Sequence, residues 1–212
     1  MTLIKRTCMR DQIRDVIVTR ILDGTYPPDT HLKELALAHE FNVSQAPVRE
    51  ALRELEMLGL VISERYRGTH VRSTNKKELS EAYELRAILE DRAAQLAVPC
   101  SKENLAILRE ALAVMRKTAV SKDYPAYTAA ALKFHRSIIE FSHNSVFLRT
   151  WESMLWEVRS RIAVQIASDN LTRFLDAHDD VITALAKDDG NLAGKILRNI
   201  METFRTSLSE QE

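Results

Sequence analysis

Gln45, Arg49 and Arg53 recur at intervals of four in the stretch NVSQAPVREALREL, residues 42–55, so on a helix they line one edge. That edge suits recognition: glutamine pairs with the edge of adenine, and arginine holds guanine or a phosphate. Farther on, in RYRGTHV, Arg65, Arg67 and Gly68 combine cationic side chains with a residue that permits close approach of another backbone. A different chemistry is offered by His178-Asp179 in AHDDV, with His135 and Asp188 elsewhere. Imidazoles and carboxylates of that kind bind metals. Arg86 stands four residues before Glu90 in YELRAILE, where it either clamps an anion or forms an i,i+4 ion pair.

The surrounding pattern says which elements would carry these groups. Val48, Ala51, Leu52 and Leu55 fall at i, i+3, i+4 and i+7, a buried stripe opposite the polar edge. Ser44 is a natural N-cap, and Pro47 lies in the first turn, where its missing N–H has no intrahelical partner to lose. Upstream, Ile13, Ile17 and Ile21 share one face of a helix over 9–22, and Leu32, Leu35 and Ala38 share one face of a shorter helix after the DGTYPPDT turn. Downstream, LVIS and THV flank the basic turn as two short strands. The order is that of a winged helix-turn-helix, whose second helix enters the major groove with its N-terminal end while the hairpin tip lies along the minor groove or backbone. The plain alternative is a solvated face with Arg49 and Arg53 paired to Glu50 or Glu54. A basic hairpin directly after the helix favours recognition.

From Lys76 onward the punctuation changes: no glycine occurs between residues 69 and 189. Long helix-forming runs break near Pro99–Ser101, Asp123–Pro125, His143–Ser145, Ser168–Asn170 and 187–191. This predicts six helices and no strand. The expected fold is therefore mainly α, a winged helix-turn-helix over 1–74 followed by an all-helical antiparallel bundle over 75–212. With 212 residues, 45% hydrophobic and 28% charged, the chain is long enough for two such cores. No run of about 18 apolar residues is present to span a membrane, and MTLIKRTCMR lacks the apolar stretch of a secretory signal, which points to the cytoplasm. Cys8 and Cys100 read as small buried hydrophobes in a reducing compartment. Basic and acidic residues both total 30, with 11 and 10 of them up to Thr74. Nucleic-acid binding would thus rest on local placement of charge.

The residues LKELALAHEFNVSQAPVREALRELEMLGLV and RYRGTHV resemble the GntR family of bacterial transcription regulators. EAYELRAILEDRAAQLA, KFHRSIIEFSHNSVF and AHDDVITAL resemble the helical FCD sensor domain of one branch of that family. The resemblance implies a homodimer on a palindromic operator in double-stranded DNA, acting as a repressor whose affinity is altered by a small metabolite, often a carboxylate. It implies no catalytic role. Together with the residue patterns it gives Ser44, Gln45, Ala46, Arg49 and Arg53 as the contacts of the reading helix, with Arg65, Arg67 and Gly68 in the wing. Many relatives carry arginine at the position of Gln45 and a basic residue at that of Leu35, so the DNA-binding role carries over from the resemblance and the operator sequence does not.

The resemblance also raises a divalent metal, zinc, nickel or manganese, held by an aspartate and three histidines. Here only His135 and His178 match. The position four before His135 is Ala131, and the third histidine falls at Asn199. Two imidazoles and an amide are a poor set for such an ion. The expectation is a pocket in which Arg86, His135, His178 and Asn199 hold the effector directly. Two competing readings remain. In one, His178-Asp179 with His135 and Asp188 makes a helical metal-dependent phosphohydrolase of the His-Asp type, although adjacent residues on a helix point about 100° apart. In the other, the bundle serves dimerisation alone, with FLRTWESMLWEVRSRIAVQI as core and interface.

Overall fold

The computed structural model describes residues 8–72, 76–154, 156–166 and 171–209. The chain divides into two compact units at residues 75 and 76. The first holds α1 (Met9–Leu22), α2 (Glu34–Glu40), α3 (Gln45–Met57) and an antiparallel hairpin of β1 (Val61–Glu64) and β2 (Gly68–Val71). Its core is the expected stripe of α3, Val48, Ala51, Leu52 and Leu55, against Ile13, Ile17 and Val18 of α1 and Leu37 and Ala38 of α2. Arg14 of α1 adds an ion pair to Glu54 of α3 at 2.7 Å.

Four details of this unit differ from the sequence reading. Leu35 is 69% exposed, and Leu37 takes the buried place. The helix begins only at Glu34, so Leu32, though buried, is not in phase with it. The segment after the Pro27–Pro28 turn is also more than a turn: Leu32 N–H donates to the Thr69 carbonyl and Asp29 N–H to that of Val71, both at 2.8 Å. The wing is thereby braced by a third extended segment. Cys8 is exposed and Cys100 half-buried, so neither is the buried hydrophobe expected.

The second unit is an antiparallel bundle of α4 (Lys76–Leu96), α5 (Lys102–Ser121), α6 (Tyr124–Phe141), α7 (Ser145–Ser153), α8 (Trp156–Ile166), α9 (Thr172–Ala186) and α10 (Gly190–Ser209). Starts are capped as the sequence suggests. Ser101 accepts from Asn104 N–H, Asp123 from Ala126 N–H with Pro125 in the first turn, and Asn144 from Val146 and Phe147. The break expected at 187–191 falls between α9 and α10, and Gly190 opens α10. A Cβ at Gly190 would lie 2.8 Å from the Ala94 carbonyl, and one at Gly194 would overlap Asp91. The two glycines let α10 lie closely along α4, where Arg198 pairs with Asp91 at 2.6 Å.

The run expected as one helix over 145–167 is two, and the described residues hold seven helices in this unit. The reason is the indole pair. Trp151 and Trp156 both pack around Arg86, with ring centroids 5.8 and 4.9 Å from the guanidinium carbon. Residues five apart on one helix point about 140° apart and could not both do so. Met154 ends α7, and its carbonyl is capped by Arg159 Nε at 3.0 Å. The expected break at 168–170 lies outside the described residues.

Candidate functional site

In the winged unit, Ser44, Gln45, Ala46, Arg49 and Arg53 are all exposed at the start and along the outer edge of α3. Ser44 sits at the N-cap, although its hydroxyl makes no capping bond, and Pro47 is the third helical residue, where its missing N–H is harmless. Arg49 does not pair with Glu50. It crosses to Glu34 of α2, Nε and Nη2 reaching Oε2 at 3.0 and 2.9 Å, while Glu54 is taken by Arg14.

The hairpin turn is Arg65-Tyr66-Arg67, with Arg67 paired to Glu64 at 2.6 Å and Arg65 over the Tyr66 ring. Tyr66, which sequence reasoning passed over, is 92% exposed at the tip. Gly68 has φ +79°, and a Cβ there would sit 2.5 Å from His31 Nε2. Both the turn and the stacking of His31 on His70, with centroids 4.6 Å apart, require a glycine at this place.

In the bundle, a buried polar cluster gathers residues from α4, α6, α7, α8 and α9. Glu90, fully buried, is its hub. Arg86 Nε donates to Oε1 at 2.6 Å, Trp151 Nε1 donates to the same oxygen at 3.2 Å, and His135 Nδ1 donates to Oε2 at 2.7 Å. Arg86 Nη1 also reaches Ser160 Oγ at 3.1 Å. Burial alone would raise the Glu90 carboxyl, but the charge of Arg86 and the contact with His135 hold it at about 2. Burial pushes His135 below its ordinary value in spite of Glu90, and pushes His178 down to about 3.

His178 faces His135, the two Nε2 atoms 3.1 Å apart, and its Nδ1 donates to the Phe174 carbonyl at 2.6 Å. A small cavity of about 20 Å³ lies against this cluster, lined by Tyr83, Arg86, Tyr127, Thr128, Ser160 and His178 among others. Arg86, His135 and His178 are thus brought together as expected. Asn199 is not. It is exposed on α10, two residues from Met201, which lines the cavity, and a two-residue step on a helix turns a side chain about 200° away. Of the partners that sequence reasoning missed, Tyr83 stands three residues before Arg86 on α4 and Tyr127 eight before His135 on α6, so their helical spacing was a local signal, whereas Trp151 and Ser160 carry none because they reach the cluster from α7 and α8.

The His-Asp constellation does not assemble. His178 is buried, while Asp179 is exposed and pairs with Arg116 at 3.1 Å. Asp188 accepts the Cys100 N–H instead.

Residues 9–71 match the family described as bacterial regulatory proteins, gntR family, and residues 81–203 match the FCD domain. The chain belongs to the GntR family. Among relatives of this GntR regulator is a protein of Paenarthrobacter nicotinovorans named "Probable D-xylose utilization operon transcriptional repressor". It is 34% identical over 94% of this chain and 88% of its own length. A gluconate operon transcriptional repressor of Bacillus licheniformis is 28% identical over 87% of this chain and 77% of its own. A GntR transcriptional regulator of Rhodococcus sp. RHA1 has the same fold, with TM-score 0.75, 22% identity and coverage of 96% and 98% of the two chains.

The FCD branch implies a divalent metal, and the donors of this GntR regulator do not fit one. Ala131 lines the cavity at the place of the aspartate and offers no ligand. Asn199 faces away, and both Glu90 oxygens already accept hydrogen bonds. No group of three His, Cys, Asp or Glu suited to a metal occurs among the described residues. Two imidazoles fall short of the three protein ligands of a stable zinc site.

Proposed function

We propose that this regulator is a cytoplasmic repressor that binds a palindromic operator as a homodimer and releases it, or grips it differently, when a small metabolite enters the cavity of the helical unit. The observation that carries the DNA half is the exposed edge Gln45–Arg49–Arg53 at the start of α3, with Ser44 and Ala46 beside it, in one unit with a hairpin bearing Arg65, Arg67 and Gly68. Gln45 and Arg49 would read bases, and Arg53, Arg65 and Arg67 would hold phosphates. Gly68 keeps the wing backbone free to approach. Its family of transcription regulators supports a binding role for the chain.

For the sensor half, Arg86, His135 and His178 would meet the effector. The relatives named for D-xylose and gluconate operons support a carbohydrate-derived metabolite. An organic acid held by Arg86, the class that the family resemblance implies, is one form of this reading. An effector acts only through its different affinity for the two states of the dimer.

The experiment is selection of duplexes from a random pool by the full chain, followed by binding of the selected duplex with and without metabolites. An enriched palindrome bound by the parent, with Arg49→Ala weakened, supports the reading. A pool that shows no enrichment would refute it. Operator binding indifferent to every metabolite would leave a bundle that only dimerises.

A further inference from the structure

The helical cavity presents acceptors where a carboxylate also presents acceptors. Glu90 takes the Nδ1 proton of His135, and the Phe174 carbonyl takes the Nδ1 proton of His178. A neutral imidazole carries one N–H, so both Nε2 atoms turn lone pairs toward one point, 3.1 Å apart. That point needs a donor. A hydroxyl supplies one, whereas an ionised carboxylate brings a further pair of electrons and a charge.

The charge balance agrees. Among the described residues Arg86 is the one cation of the cluster, and Glu90 neutralises it at 2.6 Å, so an anion entering this buried space finds no net positive charge from them to offset its desolvation. The rest of the wall is mixed, with Ala131, Leu132, Val164, Met201 and Phe204 apolar and four residues bearing hydroxyls. Tyr83, Tyr127, Thr128 and Ser160 line the cavity. The Thr128 hydroxyl already donates to the Tyr124 carbonyl, and that of Ser160 already accepts from Arg86. Thr128 therefore has acceptor capacity to offer, while Ser160 also bonds the Tyr83 hydroxyl.

Resting on the sensor reading above, we infer that the effector is an uncharged polyhydroxy compound, an aldose or alditol, bound without metal, with one hydroxyl donating to the facing Nε2 atoms of His135 and His178. The cavity must open to admit it. At about 20 Å³ it has room for about one water, whereas a dry cavity that binds benzene needs about 150 Å³. To its wall α8 contributes Ser160 and Val164.

The test is calorimetry and thermal shift of the full chain, with chelator present, against pentoses, hexoses and their alditols, and in parallel against the matched aldonic and aldaric acids. The expected result is stabilisation by a member of the uncharged set, with affinity reduced about tenfold in Tyr127→Phe or Ser160→Ala. His178→Phe, which removes the acceptor, should abolish it. If His178→Phe does not fold, the two milder variants decide. Binding by an acid and by none of its uncharged partners overturns the ligand class while the sensor reading stands, as does binding that appears only when zinc is added. If neither set binds, the class and the sensor reading fall together. Uncharged ligands whose affinity is unmoved in all three variants would overturn the site.

Discussion

Two arginine–carboxylate pairs of similar length sit in opposite settings. Arg49 meets Glu34 at 2.9 Å with half of its side chain in solvent, and Arg86 meets Glu90 at 2.6 Å with both partners buried. The exposed pair is exchangeable: solvent and salt weaken it, and an incoming phosphate or guanine can take the place of Glu34 at little cost. The buried pair is committed. Removing either partner strands a charge in a dry interior. One arginine is therefore positioned to leave its carboxylate for a ligand, and the other shapes a site whose ligand must bring no charge of its own.

The largest expected effect comes from breaking the committed pair. Glu90→Ala should destabilise the helical unit by about 3–5 kcal/mol, since Arg86 loses its counter-ion and His135 and Trp151 lose their acceptor. Urea unfolding measures this, and a loss below about 1 kcal/mol would mean that the cluster is not dry. Arg49→Ala should leave the same transition unchanged.

Acid should produce the next largest change. His178 is held at about 3 and His135 below its ordinary value, both by burial first. The unfolded chain titrates its histidines near 6.5, so on lowering the pH it takes up protons before the folded chain does, and stability falls. The slope for His178 is about 1.4 kcal/mol per pH unit below that point. Glu90, held at about 2, continues the loss from about pH 4.3, the usual glutamate value, downward. Urea midpoints near neutrality and near pH 5 test the first window. A flat response would mean that the folded pair already shares a proton at its facing Nε2 atoms. The sensor site would then be cationic, and the contrast with the exposed pair would disappear.

The two regions also differ in how far they could be read from the sequence. The reading helix was legible because everything that makes it is local: the stripe Val48, Ala51, Leu52 and Leu55, the Ser44 start, and the polar edge at intervals of four. The Arg86–Glu90 pair was visible as an i,i+4 spacing. Its partners were not, because His135, Trp151 and Ser160 lie 45, 61 and 74 residues from the groups they touch. Asn199 was misplaced since alignment to a family pattern gives a position in the chain but no phase on the helix. The division of α7 from α8 had no glycine or proline to announce it, being set by the need of two tryptophans to face one arginine.

On DNA, Arg49→Ala should weaken the selected operator about ten- to a hundredfold if Arg49 reads a base, and should lower the salt slope by about one if it holds a phosphate. Anisotropy titrations at two salt concentrations separate the two roles. Equal binding by variant and parent would refute both.

Glu34→Gln is the smallest change and the one that sharpens the comparison most. If Glu34 is an occupant that DNA displaces, removing its charge frees Arg49 and takes a negative group from beside the reading helix. Affinity for unrelated duplexes should then rise, by less than about fivefold for an exposed pair, and more than affinity for the operator, so discrimination narrows. If Glu34 instead holds Arg49 in the pose that reads DNA, the variant should lose operator affinity as Arg49→Ala does and gain nothing elsewhere. Arg49 and Glu34 would then be parts of one fixed constellation, as Arg86 and Glu90 are, and burial would no longer separate the exchangeable pair from the committed one.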